Sequence, residues 1–211
     1  MKELLFNKKH ICVAVSKTKP VSAIKKIYDH GHRDFGENKV QELISKQEEM
    51  PKDIKWHMIG HLQSNKVKKV LPLTYLIHSV DSFKLIKTID KESKKLNIKS
   101  NILMQLNISG EERKYGFSYE DAQFVIDENF KKEFSNIRLK GFMGMATFTD
   151  DKEIIINQFN GLNQFYIKNK YKIKSIEILS MGMSNDYKLA LECGSNMIRI
   201  GSKIFGERNY L

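Results

Sequence analysis

The run ILMQL, at residues 102–106, decides the fold class of this chain. Four of its five residues are apolar, so polar and apolar side chains do not alternate as they do in a strand with one face in water. Such continuity indicates a strand buried on both faces, as in a parallel sheet covered by helices. Parallel strands need long crossovers, so the rest of the chain must supply further strands and the helices that connect them.

Strand-like segments do recur along the chain, with helical patterns between them. Helices are indicated by apolar residues three and four apart, and their starts by the capping residues Ser82, Ser118 and Ser184. We predict eight strands, at residues 10–16, 34–37, 54–60, 76–81, 101–109, 137–147, 175–183 and 197–205, with seven helices between them. Eight parallel strands joined by helices close most economically into a (β/α)8 TIM barrel, and an open doubly wound sheet is the main alternative.

The length of the chain fits one α/β domain over residues 1–211. No linker, repeat or low-complexity segment divides its 211 residues. The chain is nevertheless shorter than the ~250 residues typical of this barrel. Nine residues precede the first predicted strand and only a few follow the last. We therefore expect a barrel trimmed at both termini, with its final helix nearly absent.

Composition excludes several classes of protein. Lys and Arg number 36 against 25 Asp and Glu, which gives a net charge of +11, but the excess is spread along the chain and predicts solvated helix faces rather than a specific nucleic-acid site. No run approaches the roughly 18 apolar residues of a membrane span, and no secretory signal is present, which predicts a cytoplasmic protein. Cys12 and Cys193 lie in apolar segments and fit buried free thiols, and the lack of CxxC and HExxH motifs argues against a metal site.

Unusual polar residues cluster at the predicted strand ends. Lys17 follows the first strand, Asn38 the second and Ser184 the seventh, while Arg199 lies late in the eighth. The carboxyl ends of barrel strands share one mouth, where active sites are built. We therefore predict that these side chains surround one site, although a lysine that merely extends from a strand end is the simpler interpretation of Lys17 alone.

Two groups at that mouth suit an anion such as phosphate. Ser184 precedes a helical run at residues 185–191, so its hydroxyl and the first free N–H groups can face a ligand, although an ordinary helix cap is the simpler interpretation. Gly201 and Ser202 offer close backbone and a hydroxyl, and barrels commonly bind phosphate after strands seven and eight. A lysine near Lys19 and Arg199 loses its proton more readily, which favours a phosphorylated carbonyl compound held as an imine on Lys17.

Other polar residues are less decisive. His57, His61 and His78 lie at strand ends, but no paired carboxylate assigns them a catalytic order, so packing or hydrogen-bonding roles are at least as well supported. Glu37 either orders Lys17 or faces solvent.

Six motifs together resemble the pyridoxal phosphate homeostasis protein family, whose members are similar to the isolated N-terminal barrel of alanine racemase. The motifs are VAVSKTKP (13–20), FGENKVQE (35–42), WHMIGHLQSNK (56–66), HSVDS (78–82), NISGEERKYGF (107–117) and LSMGMSNDYKLALECGSNMIRIGSKIFGERNY (179–210). The resemblance covers nearly the whole chain from Ile11, and the first part of FGENKVQE and the last motif are its most specific parts.

The resemblance assigns roles to residues already singled out. It implies that Lys17 carries pyridoxal 5′-phosphate (PLP) as an internal aldimine, with Lys19 as a neighbouring secondary lysine. Arg199 would face the pyridine nitrogen and make the ring a weaker electron sink than a carboxylate partner does. The phosphate would be held by Ser184, Gly201 and Ser202, and the ring would lie near Asn38. Ser202 stands where the family often has threonine, which keeps the hydroxyl.

The resemblance also implies a role in the intracellular homeostasis of PLP, a form of vitamin B6, and of amino acids. The expected activity is storage of the cofactor or its transfer to apo-enzymes, by a monomer without robust catalysis. Alanine racemase uses a second base from a separate C-terminal domain of its partner subunit, for which this chain leaves no room. The alternative is a slow PLP-dependent, racemase-like enzyme that acts on a small amino acid, and a nucleic-acid-binding role ranks third.

Overall fold

The computed structural model describes residues 2–111, 113–128, 130 and 133–206. Residues 207–210, the end of the last quoted motif, and the ends of the predicted 1–211 domain lie outside this description. The strands are β1 (Ile11–Val15), β2 (Asp34–Glu37), β3 (Lys55–Met58), β4 (Leu76–Val80), β5 (Ser100–Leu106), β6 (Ile137–Gly144), β7 (Ile178–Ser180) and β8 (Met197–Ile200).

These strands form a closed barrel in chain order. Each strand pairs in parallel with the next, and β8 pairs with β1, for example Ala14 with Ile200. All eight predicted strands are confirmed, with ends that differ by a few residues, and the closed barrel rather than the open sheet is the architecture. The carboxyl ends of all eight strands therefore open at one mouth.

Helices cover the outside of the barrel. They are α1 (Lys2–Leu5), α2 (Val21–Asp29), α3 (Val40–Glu49), α4 (Val67–Val70), α5 (Phe83–Leu96), α6 (Tyr119–Glu128), α7 (Lys152–Lys170), α8 (Tyr187–Glu192) and α9 (Ser202–Phe205), with 3-10 turns at Ser64–Lys66 and Leu71–Leu73. Within the described ranges, none of these helices has both the length and the apolar composition needed to cross a membrane.

Two of the three predicted helix caps are confirmed. Ser82 Oγ accepts a hydrogen bond from Leu85 N–H before α5, and Ser118 Oγ accepts one from Asp121 N–H before α6. The third is wrong, because α8 begins only at Tyr187 and has Asp186 at its N-cap position. Met183 N–H donates to the Asp186 carboxylate at 2.6 Å, which holds residues 184–186 in a turn before the helix starts.

The predicted eighth strand is too long. β8 ends at Ile200, and the following residues turn into α9. The N–H groups of Ile204 and Phe205 both donate to the Gly201 carbonyl, which closes this helical turn. The apolar residues that suggested a longer strand instead bring Ile204 into the core, where it is buried. Within the described part of the chain, β8 is therefore followed by a helix of four residues.

The core has two parts. The larger lies between the sheet and the helices, and includes Trp56 and Phe142. The smaller fills the inside of the barrel with six buried apolar side chains, Val13, Leu76, Leu103, Met143, Ile178 and Met197. Polar side chains also lie inside the barrel. Two of them, His57 and His78, are completely buried and contact each other. The interior therefore combines an apolar layer with buried polar groups.

The two cysteines are buried and unpaired, as predicted. Cys12 lies in β1 and is 2% exposed, whereas Cys193 follows α8 and is 8% exposed. Burial, with a contribution from the Asp34 charge, raises the pKa of the Cys12 thiol from 9.0 to about 12. Burial also raises the pKa of Cys193.

We expect Cys12 to resist alkylation in the folded protein. Only the thiolate reacts, and the rise in pKa lowers its population at pH 8 by about three orders of magnitude. Iodoacetamide followed by mass spectrometry should therefore label Cys193 before Cys12, and both thiols readily in urea. Labelling of Cys12 at the rate of an unfolded peptide would contradict its placement in β1.

Candidate functional site

A cavity of about 350 Å³ opens at the carboxyl mouth of the barrel. It is lined by residues that lie late in β1 and β8 or follow β1, β2, β3, β6, β7 and β8. All six residues that the sequence singles out line it: Lys17, Asn38, Ser184, Arg199, Gly201 and Ser202. Lys19 and the segment of residues 145–148 complete much of the wall. The structure thus brings the predicted residues together, and what they bind stays a prediction.

Lys17 lies on a tight turn directly after β1. Thr18 adopts a φ of 63°, which a β-branched residue rarely takes, so this turn is strained. Thr18 N–H donates to Glu42 Oε2 on α3 at 2.7 Å, and Lys19 N–H donates to the Ser16 carbonyl at 3.0 Å. These bonds hold the turn against the strain. Lys17 itself is half-buried at the cavity wall.

A buried ionic cluster supports this turn from below. Lys46 Nζ donates to Glu37 Oε1 at 2.8 Å, to Glu42 Oε2 at 3.0 Å and to the Ser16 carbonyl at 2.8 Å. Ser16 Oγ donates to Glu37 Oε1 at 2.6 Å. Burial raises the pKa of Glu37 by more than the hydrogen bonds from Lys46 and Ser16 lower it. Glu37 is completely buried, so the solvent-facing alternative is wrong.

The sequence reasoning missed Lys46. The residue lies on α3 among polar neighbours, which indicate that a lysine there belongs to a solvent-exposed helix face. Its one available signal is the four-residue spacing from Glu42, which puts both side chains on one helix face. In the structure this face turns inward at Lys46, which is 6% exposed.

Arg199 enters the cavity from β8 and is 4% exposed. Its Nη1 donates to the carbonyl and the hydroxyl of Ser180, at 2.9 and 2.6 Å, and its Nη2 donates to the Gly144 carbonyl at 3.0 Å. Burial lowers the pKa of Arg199 to about 10, although the charge of Asp186 acts to raise it. The guanidinium is therefore still cationic at neutral pH.

Ser184, Gly201 and Ser202 lie side by side at the far wall. Ser184 Oγ accepts a hydrogen bond from Gly201 N–H at 3.4 Å, which joins the turn after β7 to the turn after β8. A Cβ on Gly201 would meet the Val15 carbonyl oxygen only at 3.5 Å, an ordinary contact. Packing within the described chain therefore does not demand glycine at this position, which lines the cavity.

Lys19 reaches the same wall. Its ammonium donates to the carbonyls of Phe205 and Gly206, at 3.1 and 3.3 Å. These bonds tie the turn after β1 to the segment after β8.

Asn38 carries an unsatisfied polar atom at this site. Among the described residues, its Oδ1 is buried without a hydrogen-bond partner. The backbone of Asn38 is held close to Gly60, where any Cβ would lie 2.3 Å from the Asn38 carbonyl oxygen. A buried amide oxygen usually has a donor, so a ligand with a donor group fits here.

The three histidines do not line this cavity. His57 and His78 lie inside the barrel and contact each other. His61 Nδ1 contacts Asp81 Oδ2 at 2.8 Å, and its ring stacks on Tyr115 with centroids 4.1 Å apart. The expectation that these histidines pack or form hydrogen bonds is confirmed. The expectation that no carboxylate pairs with them is wrong, because Asp34 faces His57 and Asp81 faces His61.

Comparisons with known proteins match nearly the whole chain. A sequence model described as "Alanine racemase, N-terminal domain" matches residues 1–209. The pyridoxal phosphate homeostasis protein of Helicobacter pylori is 39% identical over 208 residues, which are 96% of this chain and 90% of that protein. The human protein of the same name is 38% identical over 213 residues, which cover 94% of this chain and 76% of the human one.

Solved structures agree with this match. PipY of Synechococcus elongatus, solved with PLP bound, superposes with a TM-score of 0.85 and 31% identity, over 95% of this chain and 94% of PipY. Alanine racemase of Clostridium difficile superposes with a TM-score of 0.81 over 98% of this chain and 55% of the racemase. At 18% identity, the likeness to the racemase is one of fold alone.

Proposed function

We propose that this chain, which belongs to the alanine racemase N-terminal domain family and, within it, to the pyridoxal phosphate homeostasis proteins, binds PLP in the cavity at the barrel mouth. Its function is the homeostasis of PLP, the role that its relatives are named for. The observation that carries the site is the convergence of Lys17, Arg199 and the two serines, Ser184 and Ser202, on one cavity.

The residues present fit this cofactor. PLP offers an aldehyde, a phosphate, a ring nitrogen and a phenolic oxygen. The cavity presents an amine from Lys17, hydroxyls from Ser184 and Ser202, and the backbone of Gly201. It also holds the buried Asn38 Oδ1, which lacks a partner among the described residues. The amine and hydroxyl donors of the cavity and the unpaired Asn38 oxygen therefore both suit a polar ring that carries a phosphate.

Each residue then has a defined part. PLP, when bound, supplies an aldehyde that an amine captures reversibly and a ring that withdraws electrons. Lys17 provides the amine at the end of β1. Ser184, Gly201 and Ser202 receive the phosphate at the loops after β7 and β8, where barrels commonly hold one. Asn38 lies beside the ring.

Arg199 sets the electronic character of the site. It faces the ring nitrogen in this proposal and stays cationic at neutral pH. A cation at that position disfavours protonation of the ring nitrogen, which weakens the ring as an electron sink. The site is therefore better suited to holding and releasing the cofactor than to robust catalysis. The protein acts in this proposal as a cytoplasmic monomer that stores PLP or transfers it to apo-enzymes.

Borohydride reduction tests this proposal. Purified protein mixed with PLP and reduced should carry one pyridoxyl group on the peptide that contains Lys17, found by mass mapping. Lys17→Ala should lose this adduct, whereas Lys19→Ala, two residues away on the same turn, should keep it. An adduct on another residue, or none, would refute the site. Turnover of a panel of amino acids by the PLP-loaded protein would favour the slow racemase-like enzyme instead.

A further inference from the structure

A chain of hydrogen bonds runs through the inside of the barrel. It connects the amino end of the strands, which we call the floor, to the cavity at the carboxyl mouth. We call its five side chains the interior chain: Asp34, His57, His78, Ser180 and Arg199. Arg199 Nη1 lies 2.6 Å from Ser180 Oγ, which lies 3.2 Å from His78 Nδ1. His78 Nε2 lies 2.9 Å from His57 Nδ1, and His57 Nε2 lies 3.1 Å from Asp34 Oδ1.

The two ends of the interior chain lie at opposite ends of the barrel. Asp34 is the first residue of β2, at the amino floor, and its side chain is 19% exposed. Arg199 is the third residue of β8 and lines the cavity at the carboxyl mouth. The residues between them, His57, His78 and Ser180, are all completely buried. The connection between floor and mouth is therefore shielded from water.

When both imidazole rings are neutral, the chemistry of the two ends fixes the direction of every hydrogen bond between them. A guanidinium can only donate and an ionised carboxylate can only accept. Ser180 Oγ therefore accepts from Arg199 and donates to His78 Nδ1. His78 then carries its hydrogen on Nε2 and donates to His57 Nδ1. His57 likewise carries its hydrogen on Nε2 and donates to Asp34.

Electrostatics agree with this order. Burial lowers the pKa of His78 well below its usual value, and the charge of Arg199 acts in the same direction, so the ring is neutral. Burial acts to raise the pKa of Asp34, but the hydrogen bond from His57 is the largest of the effects that lower it, and the pKa lies below its usual value. The floor end is thus a carboxylate and the centre is a neutral imidazole.

We propose that the interior chain positions Arg199, so that the guanidinium facing the bound ring is oriented by side chains that never touch the cofactor. Ser180, His78 and His57 are positioning residues, and Asp34 anchors their order from the far end of the barrel. The cofactor part of this inference rests on the proposed function, whereas the hydrogen-bond order does not.

The geometry at Arg199 shows what the positioning achieves. Within the described residues, three of its five N–H groups donate to barrel acceptors, namely the Ser180 carbonyl, the Ser180 hydroxyl and the Gly144 carbonyl. Nε–H and the second hydrogen of Nη2 stay available for a ligand. Loss of the Ser180 hydroxyl would remove one of the hydrogen bonds that orient the guanidinium. This planar group binds a ligand well because its geometry is fixed.

The first experiment uses the protein without PLP. Nitrogen-15 spectra of the histidine rings should show His57 and His78 as neutral imidazoles protonated at Nε2. Ser180→Ala should remove this preference at His78. A matched control is Ser79→Ala, which deletes another buried hydroxyl, whose one hydrogen bond among the described residues goes to the Gly60 carbonyl. Protonation at Nδ1 of either ring, or a charged His78, would overturn the order.

The second experiment follows bound PLP. Ser180→Ala should shift the absorption maximum of the cofactor and weaken its affinity by about fivefold, within the coupling seen among residues of one hydrogen-bond network. Asp34→Ala should shift the maximum in the same direction from the opposite end of the barrel. Asp53→Ala, which removes a floor carboxylate bonded to Arg33 and Tyr28, should not shift it.

The outcomes separate the two proposals. If the wild-type protein fails to take up PLP, the proposed function is wrong, and the ring spectra still decide the hydrogen-bond order. If PLP binds but Ser180→Ala and Asp34→Ala leave both its spectrum and its affinity unchanged, the positioning role is wrong.

Discussion

Replacing Lys46 with methionine is expected to destabilise the folded protein by about 3–5 kcal/mol at neutral pH. Methionine keeps most of the length of the side chain but removes the ammonium that faces Glu37, which is completely buried. The carboxylate would be left in the interior without its cation. Denaturant unfolding followed by circular dichroism measures the loss. Because Lys46 also holds the Ser16 carbonyl beside Lys17, affinity for PLP should fall as well.

The pH dependence identifies the cause. Burial already raises the pKa of Glu37, and loss of Lys46 removes a hydrogen bond that lowers it. In the variant, Glu37 takes up a proton in the folded state at higher pH than in the unfolded state, so stability rises as pH falls through the folded pKa. The double variant Lys46→Met with Glu37→Gln should recover part of the loss.

A surface pair provides the control for Lys46. Lys95→Met breaks an ion pair with Glu92, but Lys95 is 57% exposed, so the cost should be at most about 1 kcal/mol. Equal costs for the two substitutions would contradict the buried cluster.

Gly141→Ala is expected to cost at least about 4 kcal/mol, a size seen only where a substitution forces a steric or backbone conflict. Gly141 has a φ of 148°, and a Cβ there would lie 1.8 Å from the Ile178 carbonyl oxygen of the neighbouring strand. The residue sits at a bulge, because Ile102 pairs with Leu139 and Leu103 pairs with Gly141. Thermal unfolding of the purified variant, or its failure to fold, measures the effect.

A second glycine separates sterics from backbone strain. Gly110 also has a positive φ, of 72°, but a Cβ there would meet no atom of the described residues within 4 Å. Gly110→Ala should therefore cost only the backbone term of about 1–2 kcal/mol. A cost at Gly141 no larger than this would show that β6 and β7 lie farther apart than the structure places them.

The barrel was predictable because its signals are local. Continuous apolar runs such as residues 102–106 mark strands buried on both faces, and the capping serines Ser82 and Ser118 mark helix starts. Chain order and the right-handed crossover rule then leave few ways to connect eight parallel strands. The position of Lys17 and Asn38 at strand ends placed them at one mouth without any knowledge of contacts.

The errors arose where two local patterns compete. Ser184 and the polar residues after it resemble a helix start, but the bond from Met183 N–H to the Asp186 side chain delays the helix. Residues 201–205 are partly apolar and suggested strand, whereas two hydrogen bonds to the Gly201 carbonyl make them helical. One or two hydrogen bonds decide each case, and residue type alone does not show which of them form.

Contacts between distant parts of the chain could not be predicted. His78 meets Ser180, 102 residues later, only because the closed barrel brings side chains of β4 and β7 together in its interior. Lys46 meets Ser16 across 30 residues because α3 packs beside the turn after β1. The sequence places each residue on an element, but the partner that gives it a role comes from the closure of the sheet.

The pairing of β8 with β1 has a consequence for synthesis of the protein. The proposed site takes Lys17 from the first strand and Arg199 from the last, and Lys19 bonds to Phe205, 186 residues along the chain. A nascent chain whose β8 is still inside the ribosome has the amine of Lys17. It lacks the guanidinium of Arg199 and the residues after β8 that are proposed to hold the phosphate. Competence to hold the cofactor therefore appears only when the last strand docks. A bound cofactor would thus mark a closed barrel, and would stabilise the pairing of β8 with β1.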